Sequence, residues 1–204
     1  MPNNTDNVLV INGSASDVKA IRDLLVSKDK DKNLHIDFNA VVPMPEELNV
    51  VSGSHGDEAY ACLHGTDKDI QHYFDYSWVK EAGVKTREEL IDFLEKRAGT
   101  SCKEEELSWR ELGDRYASNL EKYGHKTWYD WKCANWGTKW GAYNSEIEEY
   151  HTNEEYDEGI FIVGFQTAWS APTPIYEKLK EMFEEADIQA YWSDEGSYER
   201  SRVF

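Results

Sequence analysis

Cysteine is scarce in this chain: three in 204 residues, Cys62, Cys102 and Cys133. An odd, widely spaced set implies no disulfide framework and fits reduced thiols in a cytoplasm. Basic residues are also few, 22 Lys and Arg against 40 Asp and Glu, for a formal net charge of −18. That argues against extended contact with nucleic-acid phosphates or anionic lipid, since either needs a concentrated basic surface. It leaves open a basic protein partner, or a surface that imitates the charge of DNA. No apolar run approaches the roughly 20 residues of a membrane helix. The N-terminus M-P-N-N-T-D-N has no basic region followed by an apolar stretch, so no signal peptide is expected. Catalytic signatures are missing too: there is no G-x-S-x-G, no phosphate-cradling glycine loop and no H-E-x-x-H. The expectation is a soluble intracellular protein that is not an enzyme and carries no cofactor.

What the chain does have is tryptophan. Four of its eight fall within thirteen residues, Trp128, Trp131, Trp136 and Trp140. Such a cluster is costly to leave in water and must be buried in a core or against a partner. As a binding site, Asn135, Trp136, Lys139 and Trp140, with Trp169, would offer aromatic walls and a few polar groups to a flat, nucleotide-like ligand or a cation. As a mini-core, the indole N–H groups would bond to backbone carbonyls, and Cys133 would be a buried, inert thiol. His55, Cys62, His64 and His72 share one stretch and His125 precedes Cys133, but only Cys62 and His64 have ligand-like spacing, so no metal site is expected.

The run 7–12 (N-V-L-V-I-N) reads as a strand, followed by a helix capped by Ser14 or Ser16 with Val18, Ile21, Leu24 and Leu25 on one face. The K-D-K-D-K stretch at 28–32 is a solvated turn. Leu34, Ile36, Phe38 and Ala40 alternate, predicting a half-buried strand over 34–42 that ends at Pro43. Helices are expected after Thr66, Thr86 and Ser108, the last two carrying capping-box patterns. The segment 146–158 reads as an acidic loop. The run 160–169 is apolar and β-branched, a central strand. A helix opens at Pro172 and Pro174, and 188–192 is a last strand. With the middle set aside, the order is two split βαβ units: an α+β, ferredoxin-like antiparallel sheet with both helices on one face. The whole chain, 1–204, is then one such domain, with a helical insertion over 43–126 between its second and third strands.

Several stretches resemble a known family. M-P-N at the start, V-V-P-M-P-E-E-L (41–48), W-Y-D-W-K-C-A-N-W-G-T-K-W (128–140), F-Q-T-A-W-S-A-P (165–172) and S-D-E-G (193–196) are similar to YubB-like ferredoxin-like domain proteins. The resemblance implies the ferredoxin-like fold and an origin in bacteriophages or plasmids, hence residence in the host bacterial cytoplasm. It implies no activity. The family's usual opening M-P-N-W-C reads Met1-Pro2-Asn3-Asn4-Thr5 here.

Charge supplies the remaining candidate site. Residues 141–204 hold 15 acidic against 4 basic side chains. Glu148, Glu149, Glu154, Glu155, Asp157 and Glu158 lie in one stretch, and Glu177, Glu181, Glu184 and Glu185 line a helix face. Concentrated negative charge steers a basic partner. The function this suggests is an accessory protein of a mobile element that binds a basic host or phage protein and interferes with a defence or nucleic-acid enzyme; sequestering a small ligand at the tryptophans is the alternative.

Overall fold

The computed structural model describes residues 3–28, 33–99, 107–197 and 199–203. The turn expected over 28–32 lies outside them from residue 29 on, as do Met1, Pro2 and Cys102. The chain divides into two compact units, Met1–Met44 with Lys132–Phe204 (unit 1) and Pro45–Trp131 (unit 2). Unit 1 opens with β1 (Asn4–Gly13), α1 (Ala15–Leu25), a short pair β2 (Val26–Lys28) and β3 (Leu34–Ile36), and α2 (Phe38–Val41). Unit 2 contains α3 (Ser54–His64), α4 (Asp67–Ile70), a 3-10 turn (Gln71–Asp75), α5 (Ser77–Glu81), α6 (Arg87–Ala98) and α7 (Trp109–Tyr123). Helix α8 (Trp128–Asn135) crosses the division. Unit 1 then closes with β4 (Tyr143–Asn153), β5 (Glu158–Ala168), α9 (Thr173–Met182), β6 (Asp187–Asp194) and β7 (Ser201–Arg202).

The sheet of unit 1 runs β4-β5-β1-β6-β7 with antiparallel neighbours throughout. Taken in chain order, β1, β4, β5 and β6 give the spatial order 2-3-1-4, and α1 and α9 are the two helices of the split βαβ pattern. The fold class is therefore ferredoxin-like, as expected, but the second strand is not the segment 34–42. That stretch ends as a strand at Ile36. Asp37 accepts a hydrogen bond from Asn39 N at 2.9 Å and starts a helical turn instead. Phe38 and Val41 are buried one turn apart while Ala40 is exposed, so a helical period replaces the alternation. The second sheet position is filled by β4, where a loop was expected. The helical unit thus precedes the second strand of the pattern rather than following it.

Core packing of unit 1 lies on one side of the sheet. Leu9 and Ile11 of β1, Phe161, Val163 and Phe165 of β5, and Ile188 and Ala190 of β6 are buried there. Val18, Ile21 and Leu25 of α1 and Ile175, Tyr176 and Leu179 of α9 supply the other half. Phe38 packs edge-on against both Trp136 and Phe165, each at 5.9 Å between centroids. Unit 2 has its own core around Ala59, Cys62, Ile70, Val79, Leu90, Leu94 and Trp109. Three of its helices start as expected after Thr66, Thr86 and Ser108, the last two at the capping boxes legible in the sequence.

Candidate functional site

Strand alternation sends the odd-numbered residues of β1 and β5 toward the helices and the even-numbered ones to the opposite face. Over that opposite face lies a basin of about 460 Å³. Asp6 and Val8 come from β1, Asn144, Glu146 and Glu148 from β4, and Gly164 and Gln166 from β5. Ser193, Ser197 and Arg200 bound it on the C-terminal side. Two register shifts in β4, between Tyr143 and Glu146 and between Ile147 and Glu149, aim Glu146 and Glu148 onto this face. Gly164 makes room for them: a Cβ there would stand 2.8 Å from Glu148 Oε1.

Amides hold the far side in place. Asn144 Nδ2 donates to Gln166 Oε1 at 2.7 Å, and Gln166 Nε2 donates to Asp6 Oδ1 at 2.8 Å. Tyr143 donates its hydroxyl to Asn4 Oδ1 at 2.7 Å, and partial burial with Glu195 and Asp6 nearby pushes that phenol's pKa upward. Among the described residues, no three of His, Cys, Asp and Glu stand close enough to hold a metal ion.

The acidic residues singled out from sequence are not all on one surface. Glu148 and Glu149 lie on β4, while Glu154 and Glu155 lie in the turn between β4 and β5 beside Asp157 and Glu158. Asp157 is tied into the fold, since its Oδ1 accepts from Ala15 N at 3.1 Å. Glu177 and Glu181 lie on α9, and Glu184 and Glu185 follow it, in the helix layer across the sheet from the basin. Glu181 also pairs with Lys178 at 2.8 Å. Sequence reasoning overlooked Tyr156, which stands 68% exposed at the hairpin tip between the glutamates. It also passed over Asp6, Asn144, Gln166 and Arg200, whose shared site depends on strand pairing between distant segments.

The tryptophan residues separate as well. Trp136 is buried, its Nε1 donates to Val42 O at 2.9 Å, and Lys132 Nζ sits 4.7 Å from its ring centroid. That is the mini-core arrangement, with Trp136 committed to the protein interior. Lys139 lies 4.7 Å from the Trp140 ring, and Asn135 ends α8. Thr138 Oγ1 donates to Ala168 O at 2.9 Å and Ser170 Oγ donates to Gly137 O, which joins the 137–140 loop to the segment carrying Trp169. Trp169 itself is 62% exposed with a left-handed backbone, φ 78°. Cys133, expected to be buried, is exposed. It lies two residues along α8 from buried Trp131, and a helical period turns it to another face.

The histidine and cysteine residues weighed for metal binding are dispersed. Cys62 is in the unit 2 core, where burial pushes its thiol up to about 11. His64 pairs with Asp114 at 2.7 Å, His72 packs on Tyr73, and His55 lies 3.9 Å from Glu58.

Residues 139–200 match the family described as the ferredoxin-like domain in Api92-like protein. They contain most of the basin and the whole acidic hairpin. Among solved structures, the crystal structure of a protein api92 from Yersinia pseudotuberculosis is similar at 12% identity, covering 99% of this chain and 93% of that one, with a TM-score of 0.45. No curated protein matches the chain.

Proposed function

We propose that this chain is a non-enzymatic binding protein that docks the basic surface of a partner protein on the carboxylate-lined face of its sheet and on the β4–β5 hairpin. The observation that carries this is the gathering of Asp6, Glu146 and Glu148 in one concave basin, the two glutamates on the strand β4 that leads into Glu154, Glu155 and exposed Tyr156. Carboxylates at that density accelerate encounter with a cationic surface, and an exposed tyrosine supplies the apolar contact that charge alone lacks. The partner on this reading is a host or phage protein in a bacterial cytoplasm, with no direct contact to nucleic acid. Interference with a defence or nucleic-acid enzyme follows the mobile-element origin implied by the resemblance above.

The test is capture from a bacterial lysate at low and high salt, followed by affinity measurement on any recovered partner. Replacing Glu146, Glu148, Glu154 and Glu155 together by Gln should weaken binding by about tenfold or more and flatten its salt dependence. Replacing Glu177, Glu184 and Glu185 by Gln should leave affinity within about twofold, because those groups lie in the helix layer. Salt-insensitive binding, or equal losses from the two sets, rejects the reading.

A second reading, a nucleotide-like ligand, draws support from Trp169 alone. An exposed indole on a left-handed backbone is uncommon and is held here by the loop ties to 137–138. Titrating nucleotides and cyclic dinucleotides against tryptophan fluorescence tests it: quenching that Trp169→Ala abolishes supports a site there, and a flat response removes it.

A further inference from the structure

We propose that unit 2 carries a separate binding site, a basin that takes an arginine side chain of a partner protein. It stands apart from the sheet-face reading, because every residue in it belongs to unit 2. The basin has a volume of about 710 Å³. Asp57, Tyr60 and His64 line it from α3 at positions i, i+3 and i+7, so one helix face presents a carboxylate, a phenol ring and an imidazole together. The Tyr60 and His64 rings stack at 6.1 Å between centroids and 27° between planes. His64 Nε2 lies 2.7 Å from Asp114 Oδ1, which fixes the ring's orientation. Tyr73 adds a further aromatic wall. Asp69 is set by the α4 cap, with its Oδ2 accepting from Thr66 N at 2.7 Å and from Thr66 Oγ1 at 2.8 Å.

The chain itself displays the charge this site accepts. Lys126 places Nζ 4.7 Å from the Tyr60 ring centroid and 2.8 Å from Asp57 Oδ1. An ammonium over a ring face and on a carboxylate is a cation–π contact reinforced by an ion pair. Lys126 is therefore a resident cation in a space large enough for a second one. A guanidinium suits the rest better than an ammonium does. It lies flat on aromatic faces while its fork of N–H groups reaches carboxylates at the rim, whereas an ammonium is a compact point charge.

The test uses the full-length ¹⁵N-labelled protein, titrated with acetyl-Gly-Arg-Gly-amide and acetyl-Gly-Lys-Gly-amide while amide shifts are followed. The arginine peptide should give saturable shifts at Ala61, His64, Gly65 and Thr66 and bind more tightly than the lysine peptide. Lys126→Met should tighten binding about threefold by removing the competing charge over Tyr60 and beside Asp57. Lys80→Met makes the same charge change at a lysine that pairs with Asp75, and should leave affinity unchanged. Tyr60→Leu should weaken binding about threefold, and Tyr60→Phe should retain it. Each variant's own amide spectrum reports whether it has folded. Shifts that do not saturate, equal affinity for the two peptides, or equal effects of the two lysine substitutions overturn the proposal. Shifts confined to Asp6, Gly164 and Gln166 overturn it as well, while leaving the sheet-face reading standing.

Discussion

The two faces of the unit 1 sheet are built from alternate residues of the same strands, yet they differ sharply in chemistry. On the face toward α1 and α9, Leu9, Ile11, Phe161 and Val163 are at most 1% exposed. On the other, Asp6, Gln166, Glu146 and Glu148 surround an open basin. Successive side chains of a strand point to opposite sides, so a single sequence can hold the fold with one set and leave the second set free for charge. The lesson is a division of labour at single-residue spacing: apolar burial on one side is ample enough that the other tolerates three carboxylates.

The sharpest way to break that contrast is to truncate one residue on each side. Phe161→Ala, at a fully buried position, should cost about 3–5 kcal/mol in urea unfolding through lost transfer energy and the cavity left behind. Gln166→Ala, five residues along the same strand on the opposite face, should stay within about 0.5 kcal/mol. Comparable losses would mean that the basin face is structural. A smaller effect is expected from the polar centre of the buried side. Asn7 Nδ2 donates to Thr167 Oγ1 at 2.8 Å and to Thr5 O at 3.0 Å, and Tyr176 OH donates to Asn7 Oδ1 at 3.1 Å. Asn7→Ala removes these buried hydrogen bonds and should cost about 2 kcal/mol. A loss below about 0.5 kcal/mol would show that other groups replace them.

Legibility in the sequence followed the same division. The buried face announced itself: β5 is apolar and β-branched, and Val18, Ile21 and Leu25 mark the inner stripe of α1. Capping chemistry was readable too, because Thr86 with Glu89 and Ser108 with Glu111 act locally. β4 was missed because its outward glutamates read as loop residues. Its inward pair, Ile147 and Tyr150, is also spaced three apart by the register shift, which erases the alternation a strand normally shows. The basin was illegible for a further reason. Asp6 meets Gln166 only through the β1–β5 register, a pairing across 160 residues that no local pattern encodes.

Two glycines of β5 give the finest version of the comparison, because the same substitution probes both faces at once. A Cβ at Gly159 would stand 2.9 Å from Val18 Cβ and 3.1 and 3.2 Å from its two methyls, on a fully buried, β-branched residue of α1. Nothing there yields without moving the helix, so overpacking of about 1–3 kcal/mol outweighs the roughly 0.5–1 kcal/mol that alanine recovers over glycine in a strand. Gly159→Ala should therefore be net destabilising by about 1 kcal/mol. At Gly164 the crowded atom is Glu148 Oε1, the free end of a flexible side chain, so it swings aside at little cost. Gly164→Ala should leave the unfolding midpoint unchanged or slightly raised, yet displace a carboxylate from the basin and weaken binding of a basic partner. Loss of stability at Gly164 with none at Gly159 would reverse the assignment of the two faces.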